Sequence, residues 1–109
     1  MHGKQVRLVL LVVALMVSSV PVVFANALAN AYVICDGLKS TGDASQCTVK
    51  GSGLTVDAVI NTNSEEAEKI CFGVAGEMAR YGMSFNGKWH LRIFSPYSDE
   101  KPIAVCALR

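Results

Sequence analysis

The chain contains four cysteines, and their spacing constrains the fold more than any other feature of the sequence. Cys35, Cys47, Cys71 and Cys106 form an even set, and no two of them have the close C-x2-C spacing that metal sites use. An even number of widely spaced cysteines in a small exported chain is typical of a disulfide framework. The sequence therefore predicts two disulfides, and it favours neither a metal site nor a cofactor.

The start of the chain has the pattern of a secretory signal peptide. Two basic residues precede a long apolar run, and small residues follow it. This order is typical of a signal peptide, and the small residues favour cleavage after Ala25 or Ala27. We therefore predict a signal peptide over residues 1–27, one disulfide-stapled domain over residues 28–109, and a periplasmic or secreted protein.

The same apolar run supports an alternative reading of the start of the chain. It is nearly long enough to cross a bilayer, so an uncleaved signal would make the protein a membrane-anchored accessory protein. Pro21 and the Ser18-Ser19 pair interrupt the run and argue against this alternative. The membrane is therefore expected as a partner only if the signal is retained.

The charge of the chain argues against one class of partner. The sequence has 10 Lys+Arg and 9 Asp+Glu, and the basic residues beyond the predicted signal are scattered singly. A protein that binds nucleic acid needs clustered Lys and Arg to displace counterions from the phosphates. We therefore do not expect nucleic acid as a partner.

Hydrophobic periodicity predicts four strands beyond the signal. Apolar residues alternate over residues 46–50 and 54–60, and the Gly-Ser-Gly between them suits a β-hairpin. Alternation over residues 88–95 predicts a third strand. Residues 103–108 are apolar at every position, which is typical of a strand that is covered on both faces.

A helix is predicted between the hairpin and the third strand. Thr62 and Asn63 each precede a glutamate by three residues, which is the spacing of a capping box. Apolar residues then recur every three or four positions, and Gly82 is a natural terminator. Cys71 lies on this apolar stripe.

Together these elements predict an α+β fold: a small antiparallel sheet in ββαββ order with one long helix packed on it and two disulfides. The stripe that carries Cys71 must face the sheet, and Cys106 lies in the last strand of that sheet. The favoured pairs are therefore Cys71–Cys106 and Cys35–Cys47.

The sequence carries no enzyme signature. His90 is the only histidine beyond the predicted signal, which limits acid-base chemistry. A triad of His90 with Asp57 can be drawn, but no G-x-S-x-G nucleophile elbow accompanies it. We therefore expect no catalytic activity, with a small secreted hydrolase centred on His90 as the alternative.

A single helix covers only one face of a sheet. The sequence favours cover of the other face by residues 32–38, and the alternative is that this face binds another envelope or secreted protein or a second copy. In that case Arg92, Phe94 and Tyr97 are the expected anchors, because Arg and aromatic residues dominate interface energies. The predicted function is a small exported, non-enzymatic protein-interaction module of the bacterial envelope or periplasm.

Overall fold

The computed structural model describes residues 22–98 and 100–109, in which two helices and four strands alternate as αββαββ. The bounds are α1 Val22–Ser40, β1 Gln46–Lys50, β2 Thr55–Val59, α2 Ser64–Arg80, β3 Trp89–Phe94 and β4 Ala104–Leu108. The strands form one mixed sheet in the order β1-β2-β3-β4. The outer pairs β1–β2 and β3–β4 are antiparallel, and the central pair β2–β3 is parallel.

The predicted ββαββ order with an antiparallel sheet is wrong in two respects. The first concerns the centre of the sheet, where β2 leads into α2 and α2 carries the chain back along the sheet. As a result β3 begins at the same end as β2 and pairs with it in parallel. A strand, a helix and an adjacent strand make such a parallel unit, which an antiparallel hairpin connection cannot form.

The second error is the missing helix α1. Its buried residues recur at helical spacing along one side, namely Ala27, Ala31, Ile34, Cys35 and Leu38. The alanines that suggest cleavage sites also have the highest helix propensity, so the same residues fit both interpretations. Residues 1–21 of the predicted signal lie outside the described residues, and residues 22–27 form the start of α1.

Both helices pack on the same face of the sheet, which we call the inner face. Helix α1 contacts β1 and β2, whereas α2 contacts β4 and β3. The predicted cover of the opposite face by residues 32–38 is therefore wrong, because this segment belongs to α1. The prediction that the last strand is covered on both faces is also wrong, since β4 is an edge strand and Val105 is 51% exposed.

The prediction of two disulfides is confirmed. Cys35 of α1 is bonded to Cys47 of β1, and Cys71 of α2 is bonded to Cys106 of β4, the same pairs that the sequence favoured. Because β1 and β4 are the two edge strands, each disulfide joins one helix to one edge of the sheet. Disulfides persist in oxidising surroundings, so they indicate a compartment outside the cytosol.

Of the two predicted N-caps of α2, Thr62 and Asn63, the structure has Asn63, and the predicted end at Gly82 is confirmed. Asn63 is the N-cap, and its side-chain oxygen accepts a hydrogen bond from the backbone N–H of Glu66 at 2.8 Å. Gly82 follows the helix with φ +73°, a left-handed conformation that glycine adopts without steric cost. Within the described residues, neither α1 nor α2 is long and apolar enough to cross a membrane.

Candidate functional site

The sheet surface opposite the helices is the outer face. It is formed by the alternate strand residues that point away from the helices, and these include most of the polar strand residues. They are Gln46, Thr48, Lys50, Thr55, Asp57, Val59, His90, Arg92, Phe94, Val105 and Ala107. Within the described residues no helix or strand packs over this surface.

A three-residue ionic cluster lies at the centre of the outer face. The parallel register places Asp57 of β2 beside Arg92 of β3. The Arg92 guanidinium donates two hydrogen bonds to the Asp57 carboxylate, from Nε to Oδ1 at 2.7 Å and from Nη2 to Oδ2 at 2.6 Å. Lys50 Nζ lies 3.1 Å from Oδ2 of the same carboxylate. This bidentate geometry fixes the plane of the guanidinium.

The cluster shifts the titration of both central residues. Burial of the Asp57 carboxylate raises its pKa, but the hydrogen bonds and positive charges of Arg92 and Lys50 outweigh burial and lower the pKa below its ordinary value. The hydrogen bond to Asp57 raises the pKa of Arg92. Asp57 is therefore held as an anion, and Arg92 as a cation.

The ionic cluster adjoins an aromatic ring. The guanidinium carbon of Arg92 lies 5.3 Å from the ring centroid of Phe94, within cation–π range. Arg92 is thus held between Asp57 on one side and Phe94 on the other. Arg92 and Phe94, two of the three anchors that the sequence predicts, therefore contact each other without a partner.

The third nominated residue lies in the turn that follows β3. Tyr97 is 82% exposed, and its backbone N–H donates to the Ser95 hydroxyl at 3.1 Å. Ser98 closes the turn, since its hydroxyl accepts from the Ser95 N–H at 3.0 Å and donates to the Ser95 carbonyl at 3.1 Å. The turn and Phe94 line a cleft of about 370 Å³ beside the ends of β2 and β3.

His90 lies exposed on the outer face, and it does not form a triad with Asp57. The carboxylate that such a triad would use belongs to Asp57, which contacts Arg92 and Lys50 instead. Across residues 22–98 and 100–109, no group of three or more His, Cys, Asp or Glu side chains is arranged to hold a metal ion.

A second concave surface lies between the two helices, and we call it the interhelical groove. It has a volume of about 740 Å³ and is lined mainly by apolar residues of α1 and α2, with polar groups at its rim. The lining residues are Val33, Ile34, Gly37, Leu38, Thr41, Asp43, Ile70, Gly73, Val74, Glu77 and Met78. The sequence patterns do not predict this groove because they do not predict α1.

Comparison with known proteins found no family model, no curated protein and no solved structure that matches this chain.

The sequence predicted Arg92 and Phe94 of the outer face and Tyr97 of the adjoining turn as anchors, but it did not predict the contacts of Arg92 and Lys50 with Asp57. The signal that identifies Asp57 is the register of the parallel pair, in which it stands opposite Arg92. That register follows from the path of α2 over the sheet, and hydrophobic alternation alone does not give it.

Proposed function

We propose that this chain is a small exported, non-enzymatic module that binds another exported protein through the outer face and the adjoining turn at Tyr97. One observation carries the proposal: both helices lie on the inner face, which leaves Arg92 partly exposed to a partner while Asp57 and Phe94 hold it in place. An anchor that is ordered before binding loses less side-chain entropy when a partner arrives.

The residues around Arg92 indicate which chemical groups a partner should present to the outer face. Arg92 uses Nε and Nη2 on Asp57, so its remaining N–H donors are free to bind a carboxylate or a backbone carbonyl. Phe94 and Val105 supply apolar area on either side of Arg92, and Tyr97 projects from the neighbouring turn. A partner surface with an apolar centre and an acidic group fits this arrangement.

We also propose that the chain is exported to the bacterial periplasm and that its signal is cleaved after Ala25 rather than after Ala27. Ala27 is 2% exposed and lies on the buried side of α1, so cleavage after it would remove a core residue. Cleavage after Ala25 keeps it. N-terminal sequencing of the exported protein should give Asn26 as the first residue, and a chain that starts at Leu28 would contradict this assignment.

The binding proposal is tested with the disulfide-bonded domain carrying an affinity tag. The wild type should retain a specific protein from a periplasmic extract, and Phe94→Ala or Tyr97→Ala should abolish this retention. Tyr81→Ala is the matched control, because Tyr81 is 71% exposed but lies at the end of α2, away from the outer face. Equal retention of the partner protein by all variants would contradict the proposal. Loss of retention with Tyr81→Ala alone would also contradict it.

A further inference from the structure

The interhelical groove exists because the two helices stand apart. Helix α1 packs over β1 and β2 and α2 packs mainly over β4, so the helices have little direct contact with each other. The apolar side chains between them, such as Val33, Ile70 and Val74, therefore face a gap rather than a neighbouring helix. Packed helices normally lie 8–10 Å apart, so that side chains fill the space between them.

Two helix glycines border this gap, one in the last turn of α1 and one in the middle of α2. Gly37 of α1 and Gly73 of α2 both line the groove, and a Cβ added at either position would meet no atom within 4 Å. A glycine inside a helix is less favourable than alanine because its backbone loses more conformational freedom on folding. Larger side chains at these positions would occupy the groove, and the glycines leave space for the backbone of an incoming segment.

The charges of the groove are of one sign. Among the described residues, Asp43 and Glu77 are the charged residues in its lining, and no basic residue lines it. Asp43 accepts a hydrogen bond from the Thr41 hydroxyl at 2.7 Å, and Glu77 pairs with Arg80 at 3.5 Å on the exposed side of α2. An exposed ion pair such as Glu77–Arg80 is weak, and the hydrogen bond to Asp43 comes from a neutral hydroxyl. Both carboxylates are therefore available to an incoming cation.

We propose that the interhelical groove binds an amphipathic helix of a partner polypeptide, with an apolar stripe directed into the groove and Lys or Arg along its flank. The groove runs along residues 33–40 of α1 and 70–78 of α2, which corresponds to about 12 to 13.5 Å of helix, enough for roughly two turns of a third helix. Helix-in-groove recognition uses an apolar stripe of this kind. The acidic rim selects a cationic helix and disfavours an anionic amphiphile such as a fatty acid.

This site is separate from the outer face, since it lies among the helices on the opposite side of the sheet. It goes beyond the proposed function because it gives the domain two binding surfaces. One partner meets Arg92 and Phe94 on the strands, and a second, helical partner lies between α1 and α2. The domain then acts as an adaptor that holds two polypeptides on opposite sides of one sheet.

The test uses two labelled 14-residue helical peptides with the disulfide-bonded domain. Both peptides carry leucine on one face, and the other face carries lysine in the first peptide and glutamate in the second. Fluorescence anisotropy should give binding to the lysine peptide that is at least about tenfold tighter than to the glutamate peptide. Equal affinities for the two peptides would overturn the proposed charge selection.

Two matched pairs of variants locate the binding. Gly73→Leu should weaken binding of the lysine peptide by about tenfold or more because its side chain fills the groove. Gly76→Leu should leave binding unchanged, since Gly76 also has open space around it but does not line the groove. Glu77→Lys should weaken binding, whereas Glu68→Lys, with the same change in net charge, should not. The thermal unfolding midpoint of each variant establishes that it is folded.

Other results would overturn the proposal. If Gly73→Leu binds the lysine peptide as well as Gly76→Leu does, the groove is not the binding site. If light scattering shows that the wild type is a dimer and that Gly73→Leu is a monomer, the groove is occupied by a second copy. If laurate binds the groove more tightly than the lysine peptide, it is a lipid site. Arg92→Ala should not change peptide binding, which separates failure here from failure of the outer-face proposal.

Discussion

On the inner face of the sheet, the residues of β2, β3 and β4 that point toward the helices are apolar and buried, and both disulfides lie on this side. On the outer face, the alternate residues of the same strands include Asp57, Arg92 and the exposed Val105. Neighbouring residues of one strand thus belong to surfaces of opposite character, because strand side chains alternate between the faces. Substitutions at adjacent positions should therefore have separate effects, on folding when the side chain points inward and on recognition when it points outward.

The largest expected effect is on the inner face, at the disulfide between α2 and β4. Replacing Cys71 and Cys106 together by alanine should lower the free energy of unfolding by about 4 kcal/mol, because this bridge closes the longer loop. Replacing Cys35 and Cys47 together should cost about 3 kcal/mol by the same chain-entropy argument. Urea denaturation without reductant measures both losses. A larger loss from the Cys35–Cys47 pair would contradict the ranking.

The next prediction concerns the stability lost on truncating one side chain of each face. Leu91 is fully buried on the inner face, so Leu91→Ala should lower the free energy of unfolding by about 3 kcal/mol. Val105 stands on the outer face and is 51% exposed, so Val105→Ala should cost less than about 0.5 kcal/mol. Urea unfolding curves of the two variants test the contrast. Similar losses would mean that the outer face is packed against something in solution.

A smaller effect is expected at the ionic cluster, and it depends on pH. Asp57→Asn should lower the free energy of unfolding at pH 7 by about 2 kcal/mol, because Arg92 loses its charged acceptor. The folded pKa of Asp57 is depressed, so its stabilisation is fully present above its unfolded pKa of about 3.9. It is lost as the pH falls through the lower folded pKa.

The stabilities of wild type and Asp57→Asn should therefore converge below about pH 4. Urea unfolding at a series of pH values from neutral to acid measures the difference. Asn63→Ala removes the N-cap of α2 and offers a control, because an amide side chain does not titrate. A difference for Asp57→Asn that stays constant with pH would show that the carboxylate charge is not what Arg92 requires.

The smallest expected effect on stability is at the exposed turn. Tyr97→Ala should change the free energy of unfolding by less than about 0.5 kcal/mol, because the side chain is 82% exposed. Its loss of partner binding should nevertheless be complete in the capture experiment. Circular dichroism melts of the wild type and the variant measure the stability difference. A large drop in the melting temperature would place Tyr97 in the structure of the turn rather than in recognition.

The sequence predicted those parts of the fold that depend on local signals. The N-cap at Asn63 and the terminator at Gly82 depend on a few neighbouring residues, and the structure contains both. Helix α1 was missed because its alanines satisfy two patterns at once, that of a cleavage site and that of a helix. The contact of Asp57 with Arg92 was missed because the register between β2 and β3 is set by the crossover through α2.

The outer-face site was predicted only in part, for the same physical reason. Arg92 and Phe94 lie two residues apart on one strand, so their shared face follows from strand geometry. The prediction for β4 was wrong because its small and branched apolar residues fit both a central strand and an edge strand. The identity of the neighbouring strand is a long-range property, and so is the absence of a second helical layer among residues 22–98 and 100–109. Residues 103–108 do not encode either property locally.

The placement of the disulfides has a consequence for the order of folding. One disulfide lies within α1-β1-β2 and the other within α2-β3-β4, and neither crosses the parallel junction between β2 and β3. Backbone hydrogen bonds, core packing and the Asp57–Arg92 pair join the two halves there. Each half can therefore oxidise its own cysteines before the halves meet. Both incorrect pairings of the four cysteines connect one half to the other, so assembly that completes each half first avoids them.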